Sequence, residues 1–129
     1  AIAPGKRMLS SMTPTIVEKG GKLSMVIGSP GGSTIITTVL QNILNVYEYQ
    51  MTMQEAVSEP RFHHQWLPDN IKFERSFDTA VFDPLRKLGY IIDQSESPIL
   101  GKVDAILVLP DGKLEAGADP RGDDKASGF

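Results

Sequence analysis

The chain has 129 residues, with 13 lysines and arginines against 16 aspartates and glutamates, and no cysteine. That length suits a single domain over residues 1–129, and the formal charge of -3 with scattered basic residues argues against a nucleic-acid footprint. The missing cysteines exclude a disulfide framework, a thiolate nucleophile and a Cys-based zinc site, and no apolar run approaches the ~20 residues that span a bilayer.

Residues 1–7 lack periodicity and contain Pro4-Gly5, so they read as an irregular entry segment cut from something longer. Residues 13–18 and 22–27 are β-rich runs around Lys19-Gly20-Gly21, which predicts a hairpin. The second run leads into Gly28-Ser29-Pro30-Gly31-Gly32-Ser33, after which Ile35, Val39, Ile43 and Tyr47 recur at helical spacing and predict a helix over 34–49. Its front end is rich in poor helix formers, so tertiary packing has to hold it. Thr52 and Glu55 form a capping-box pattern for a short helix ending near Ser58, before Pro60. Residues 61–69 read as a loop, 70–75 as a short half-buried strand, and 78–88 as a helix with Pro84 in its first turn or at a kink and Gly89 as its C-terminal cap. A strand near 90–93 and a final hairpin of 103–109 and 113–118 around Pro110-Asp111-Gly112 complete the order. Hairpins dominate, so the expected class is α+β, with a largely antiparallel sheet and helices packed on one face.

The glycine segment is the chemically informative stretch. Gly31 and Gly32 have no Cβ, so their N–H groups can approach a ligand closely at the positive end of the following helix. Three readings fit: a tight turn with Ser33 as N-cap, a phosphate cradle, or paired donors to an acyl-transfer oxyanion. A P-loop is disfavoured because the segment lacks the required lysine. His63 and His64 are neighbours that an extended chain points to opposite faces, so they read as packing beside Trp66 rather than as a metal site. A triad of Ser29 or Ser33 with His63 and Asp69 ranks lower still, since no G-x-S-x-G elbow is present. Arg121-Gly122-Asp123 reads as a chance tripeptide.

Leu9-Ser10-Ser11-Met12-Thr13-Pro14-Thr15, the glycine turn with Ile35-Ile36-Thr37-Thr38, Pro60-Arg61-Phe62-His63-His64-Gln65-Trp66-Leu67-Pro68 and Asp119-Pro120-Arg121 occur in unbroken order. Together they resemble γ-glutamyltranspeptidases of the N-terminal-nucleophile hydrolase superfamily. The resemblance implies part of an αββα sandwich and a precursor that cleaves itself into large and small subunits. It also implies a newly exposed threonine that attacks γ-glutamyl amides such as glutathione, and release of the acyl group to water or to an amino acid or peptide acceptor. No cofactor and no metal are implied. In that scheme Gly31 and Gly32 supply the oxyanion hole, while Ser10 and Ser11 contact the substrate α-carboxylate.

Two departures accompany the match. The nucleophile should lie several tens of residues before Ser10, so the chain corresponds to the C-terminal part of the small subunit. The expected partners are then the large subunit and the rest of the small one. Position 34, often arginine in the family, is threonine here. The resemblance implies a periplasmic or extracellular parent. The fragment alone is expected to be inactive and prone to self-association. The alternative reading is a small anion-binding or protein-interaction module.

Overall fold

The computed structural model describes residues 3–7, 11–94 and 99–128. Strands β1 (Thr15–Lys19), β2 (Lys22–Gly28), β6 (Asp104–Val108) and β7 (Leu114–Ala118) form a four-stranded sheet in the order β1-β2-β6-β7, every pair antiparallel. Alternation along β2 sends Met25 and Ile27 into the core and leaves Val26 outside, as a pleated strand requires. Helices α1 (Ile35–Tyr47) and α2 (Met53–Ser58) cover the inner face. Their Ile35, Val39, Val46, Met53, Ala56 and Val57 pack with Met25, Ile27, Val103 and Ala105. Burial of this stripe explains how a helix rich in Ile, Thr and Val persists against its propensity.

The expected helix from residue 34 is preceded by a 3-10 turn, Gly32–Thr34, and ends at Tyr47 rather than residue 49. At α2 the capping box forms in full: Thr52 Oγ1 accepts from Glu55 N, and Glu55 accepts from Thr52 N at 2.8 Å. Those bonds, the backbone one first, hold the Glu55 carboxyl below its ordinary range. Gln54 then donates to Ala118 O and accepts from Ala118 N, closing part of the outer edge of β7.

Residues 61–69 are not wholly loop. β3 (Phe62–His63) pairs antiparallel with β4 (Ile71–Phe73), and β5 (Ile92–Asp93) adds parallel to β4, giving a second, mixed sheet. A two-residue strand has no readable periodicity, so its pairing emerges only from its partner. Gln41 of α1 donates to Phe62 O and accepts from Phe62 N, which docks this sheet on the helix. The segment predicted as one helix over 78–88 is a 3-10 turn, Thr79–Val81, followed by α3 (Phe82–Lys87), with Pro84 in its first turn. Phe82 packs on Phe73 with ring centroids 4.8 Å apart.

A buried ionic cluster joins these parts. Arg61, 1% exposed, donates through Nη2 to Asp119 Oδ2 at 2.7 Å and to Val57 O at 2.8 Å, and through Nη1 to Leu100 O at 3.0 Å. Asp119 also accepts from Val103 N at 2.8 Å and from Arg121 N at 3.0 Å. Arg121 donates to Glu74 from Nε at 2.6 Å and from Nη2 at 2.5 Å, while Glu74 accepts from Leu100 N and Arg61 N. Burial works against the Asp119 carboxylate, yet its backbone donors and Arg61 outweigh that penalty and hold its pKa below the ordinary 3.8.

A depressed carboxylate pKa contributes stability above the unfolded value that is lost as pH falls through the folded one. In a full-length protein carrying this segment, Asp119→Ala strands a buried guanidinium and is expected to cost about 3–5 kcal/mol. Thermal melts check this. The wild type should lose Tm more steeply than Asp119→Asn as pH falls from about 5 to about 3.

Candidate functional site

The glycine turn lies where β2 ends and α1 begins. Gly31 has φ 144° and Gly32 φ 61°, conformations that favour glycine, and both residues are exposed. The turn is closed by its successor: Thr34 N and Thr34 Oγ1 both donate to Gly31 O, at 3.2 and 2.9 Å. Ser33 does not cap it. The N-cap position belongs to Gly31, with no side-chain capping bond, so the tight-turn reading in its Ser33 form is corrected. Among the described residues no backbone hydrogen bond uses the N–H of Gly31 or Gly32, which leaves two adjacent donors at a helix start.

The turn is braced from behind by the loop that carries Gly101. Ser29, fully buried, donates from Oγ to Pro30 O at 2.7 Å and accepts from Lys102 N at 3.1 Å. Thr38 of α1 donates to Leu100 O at 3.1 Å. Gly101, at φ 77°, sits so close that an added Cβ would lie 2.6 Å from Ser29 Oγ and 2.7 Å from Thr38 Cγ2. A Cβ on Gly31 would in turn lie 3.3 Å from Gly101 Cα. The two loops therefore interlock as backbone against backbone, and Arg61 holds the outer one through Leu100 O.

Residues 1–129 match the family described as gamma-glutamyltranspeptidase. The chain belongs to the γ-glutamyltranspeptidase family. Among its relatives, the glutathione hydrolase proenzyme of Escherichia coli (strain K12) is 47% identical over 130 residues, covering 100% of this chain and 22% of that protein. The Pseudomonas aeruginosa glutathione hydrolase proenzyme is 44% identical over 126 residues, covering 95% and 22%. The chain thus spans about a fifth of the length of the curated relatives it matches. Among solved structures, γ-glutamyltranspeptidase from Pseudomonas nitroreducens complexed with L-DON superposes with a TM-score of 0.84 at 40% identity, covering 100% of this chain and 67% of that one. The α+β class, with its antiparallel sheet and packed helices, is the one the resemblance implied.

For a γ-glutamyltranspeptidase segment, the placement of the motif serines matters next. Ser10 lies outside the described residues. Ser11 is exposed, and its neighbour Met12 accepts from Ser29 N at 2.9 Å, so the serine motif and the glycine turn meet at one corner of the sheet. The low-ranked triad does not assemble. His63 is buried with Nδ1 at 2.7 Å from Thr37 Oγ1 and Nε2 at 2.9 Å from Gln65 Oε1, whereas Asp69 pairs with His64 at 3.1 Å. Packing beside Trp66 is also corrected, because Trp66 is 76% exposed and His63 packs on polar partners instead.

Sequence reasoning missed the roles of Arg61, Glu74 and Gly101. Arg61 and Arg121 sat inside the family motifs, but their local sequence carries no signal of burial. Gly101 had none beyond its residue type. Arg121 is turned inward onto Glu74, which leaves the Arg-Gly-Asp tripeptide no free guanidinium to present.

The interlock yields a controlled comparison. Gly101→Ala and Gly112→Ala share the positive-φ penalty, at 77° and 84°, but nothing lies within 4 Å of a Cβ on Gly112. Strain alone costs on the order of 1–2 kcal/mol. Melting of the two variants in the full-length protein should place Gly101→Ala clearly below Gly112→Ala, and equal Tm values would rule out the crowding.

Proposed function

We propose that this chain is the acyl-site portion of a γ-glutamyltransferase and glutathione hydrolase. It supplies the oxyanion donors and α-carboxylate contacts, while the threonine nucleophile lies in a part of the parent protein outside it. The nucleophile adds to the γ-carbonyl carbon, and the carbonyl oxygen becomes an oxyanion. The N–H groups of Gly31 and Gly32 donate to that oxygen, Ser10 and Ser11 hold the α-carboxylate, and collapse of the tetrahedral species expels the amine as it takes up a proton. Water or an acceptor amine then releases the γ-glutamyl group by the reverse sequence.

The observation that carries this reading is the pair of N–H groups unused by the turn, in a backbone held rigid from behind. Donors that need no reorganisation stabilise developing charge most effectively. The Thr34 hydroxyl donates within the turn, to Gly31 O, so the turn is closed without the arginine often found at this position in the family.

A second observation supports a larger parent. Ile16, Val26, Ile106 and Ala116 stand directly opposite one another across β1, β2, β6 and β7, and all four are exposed. A sheet face with an apolar row suits coverage by another layer, here the remaining large- and small-subunit residues of the parent.

In the full-length enzyme, Gly32→Pro removes one donor and, because proline holds φ near about −65° where Gly32 has 61°, also displaces the turn, so kcat is expected to fall by at least about 10² to 10³. A variant that melts like the wild type and keeps its kcat on a γ-glutamyl anilide would sink the oxyanion assignment.

The Ser10→Ala, Ser11→Ala double variant removes charge-assisted hydrogen bonds worth about 1.5–3 kcal/mol each. Its loss should fall on substrates with a free α-carboxylate and spare their α-amides. Equal losses on both would assign the serines a structural role.

A further inference from the structure

The Gly31 and Gly32 N–H groups are each one end of a peptide unit whose other end is a carbonyl. In a trans unit the C=O and N–H lie in one plane and point in opposite directions, so whatever holds the carbonyl also aims the N–H. For Gly32 the carbonyl is Gly31 O, which accepts from Thr34 N at 3.2 Å and from Thr34 Oγ1 at 2.9 Å, so the main chain itself helps to hold that unit. For Gly31 the carbonyl is Pro30 O. Its one partner among the described residues is the Ser29 hydroxyl, at 2.7 Å.

Ser29 is fully buried, whereas Pro30 and Gly31 are exposed. The Pro30 carbonyl therefore turns toward the interior, and the Gly31 N–H turns away from it, to the open side of the turn. Little else secures that direction. Proline fixes its own φ but not its ψ, and Gly31 has no Cβ, so the unit between them can rotate at small steric cost. A flipped unit would present Pro30 O, a partial negative charge, where the oxyanion develops, and the two would repel. Lys102 N donates to Ser29 Oγ at 3.1 Å, which leaves the hydroxyl proton for Pro30 O. The resulting chain runs from the Lys102 N–H through the Ser29 hydroxyl to the Pro30–Gly31 unit, and each bond in it polarises the next and strengthens the Gly31 N–H as a donor.

We propose that Ser29 is a positioning residue for acyl transfer: its hydroxyl holds the Pro30–Gly31 peptide unit with the N–H, not the carbonyl, facing the oxyanion. The inference rests on the oxyanion reading of Gly31 and Gly32 and names the side chain that keeps one of the two donors aimed.

The test measures hydrolysis of a γ-glutamyl anilide by the full-length enzyme, in which acyl-enzyme formation and breakdown both pass through an oxyanion. Ser29→Ala removes the hydroxyl, and Ser29→Cys, close to serine in size, replaces it with a weak donor. Each should lower kcat about tenfold, short of the loss of about 10² to 10³ for a deleted donor, because the N–H remains on the chain. KM should stay as in the wild type, since the oxyanion is absent from the bound substrate. The corner where the serine motif meets the turn is held by Ser29 N on Met12 O, a backbone bond that neither variant removes. Melting curves set the assay temperature below the transition of each variant, and if Ser29→Ala does not fold, Ser29→Cys carries the test.

Wild-type kcat in a folded Ser29→Ala or Ser29→Cys overturns the positioning role. A KM that rises as kcat falls overturns it as well, because the whole corner has then moved rather than one peptide unit. In either case a kcat that still falls with Gly32→Pro leaves the acyl-transfer function standing. Hydrolysis indifferent to Gly32→Pro in a folded enzyme instead removes the oxyanion reading itself.

Discussion

The Arg61–Asp119 pair is the interaction on which the rest of the structure depends. Taking both charges out of water costs several kcal/mol, and only dense hydrogen bonding repays it. Here the repayment is spread over the molecule: Asp119 closes onto Val103 at the start of β6 and onto the chain leaving β7, and Arg61 closes onto the end of α2 and the loop before β6. Glu74, at the end of β4, takes Arg121 and thereby ties the small mixed sheet to the large one. Carbonyls that end α2 would otherwise be orphaned, and the two arginines satisfy Val57 O and Glu59 O.

That cluster reaches the glycine turn by a short mechanical route. Arg61 fixes Leu100, Thr38 and Ser29 fix the residues on either side of Gly101, and Gly101 abuts Gly31. A turn with two consecutive left-handed glycines has high conformational entropy in isolation. Rigidity has to come from outside it, and here it comes from a loop some seventy residues further along the chain. Such an arrangement suits a pair of N–H donors, since a donor that must reorganise during the reaction gives back much of its stabilisation.

The sequence by itself determined the elements whose signals are local. Glycine-containing turns between two strand-length runs specify both hairpins, and the Thr52–Glu55 pattern specifies the start of α2. The period of apolar residues specifies α1, because that stripe must be buried whatever lies opposite it. Gly31 and Gly32 were legible for the same reason, as absent Cβ atoms at a strand-to-helix turn are a property of the residues themselves.

Only the tertiary structure decided the long-range pairings. β3 is two residues long and exists because β4 and Gln41 present partners to it. The strand near residues 90–93 joined β4 in parallel rather than the main sheet, a choice between sheet edges that alternation cannot make. Arg61, Glu74, Asp119 and Arg121 carry charges that in sequence suit a solvated surface. Their burial follows from mutual neutralisation between positions up to about sixty residues apart, and no local pattern encodes that.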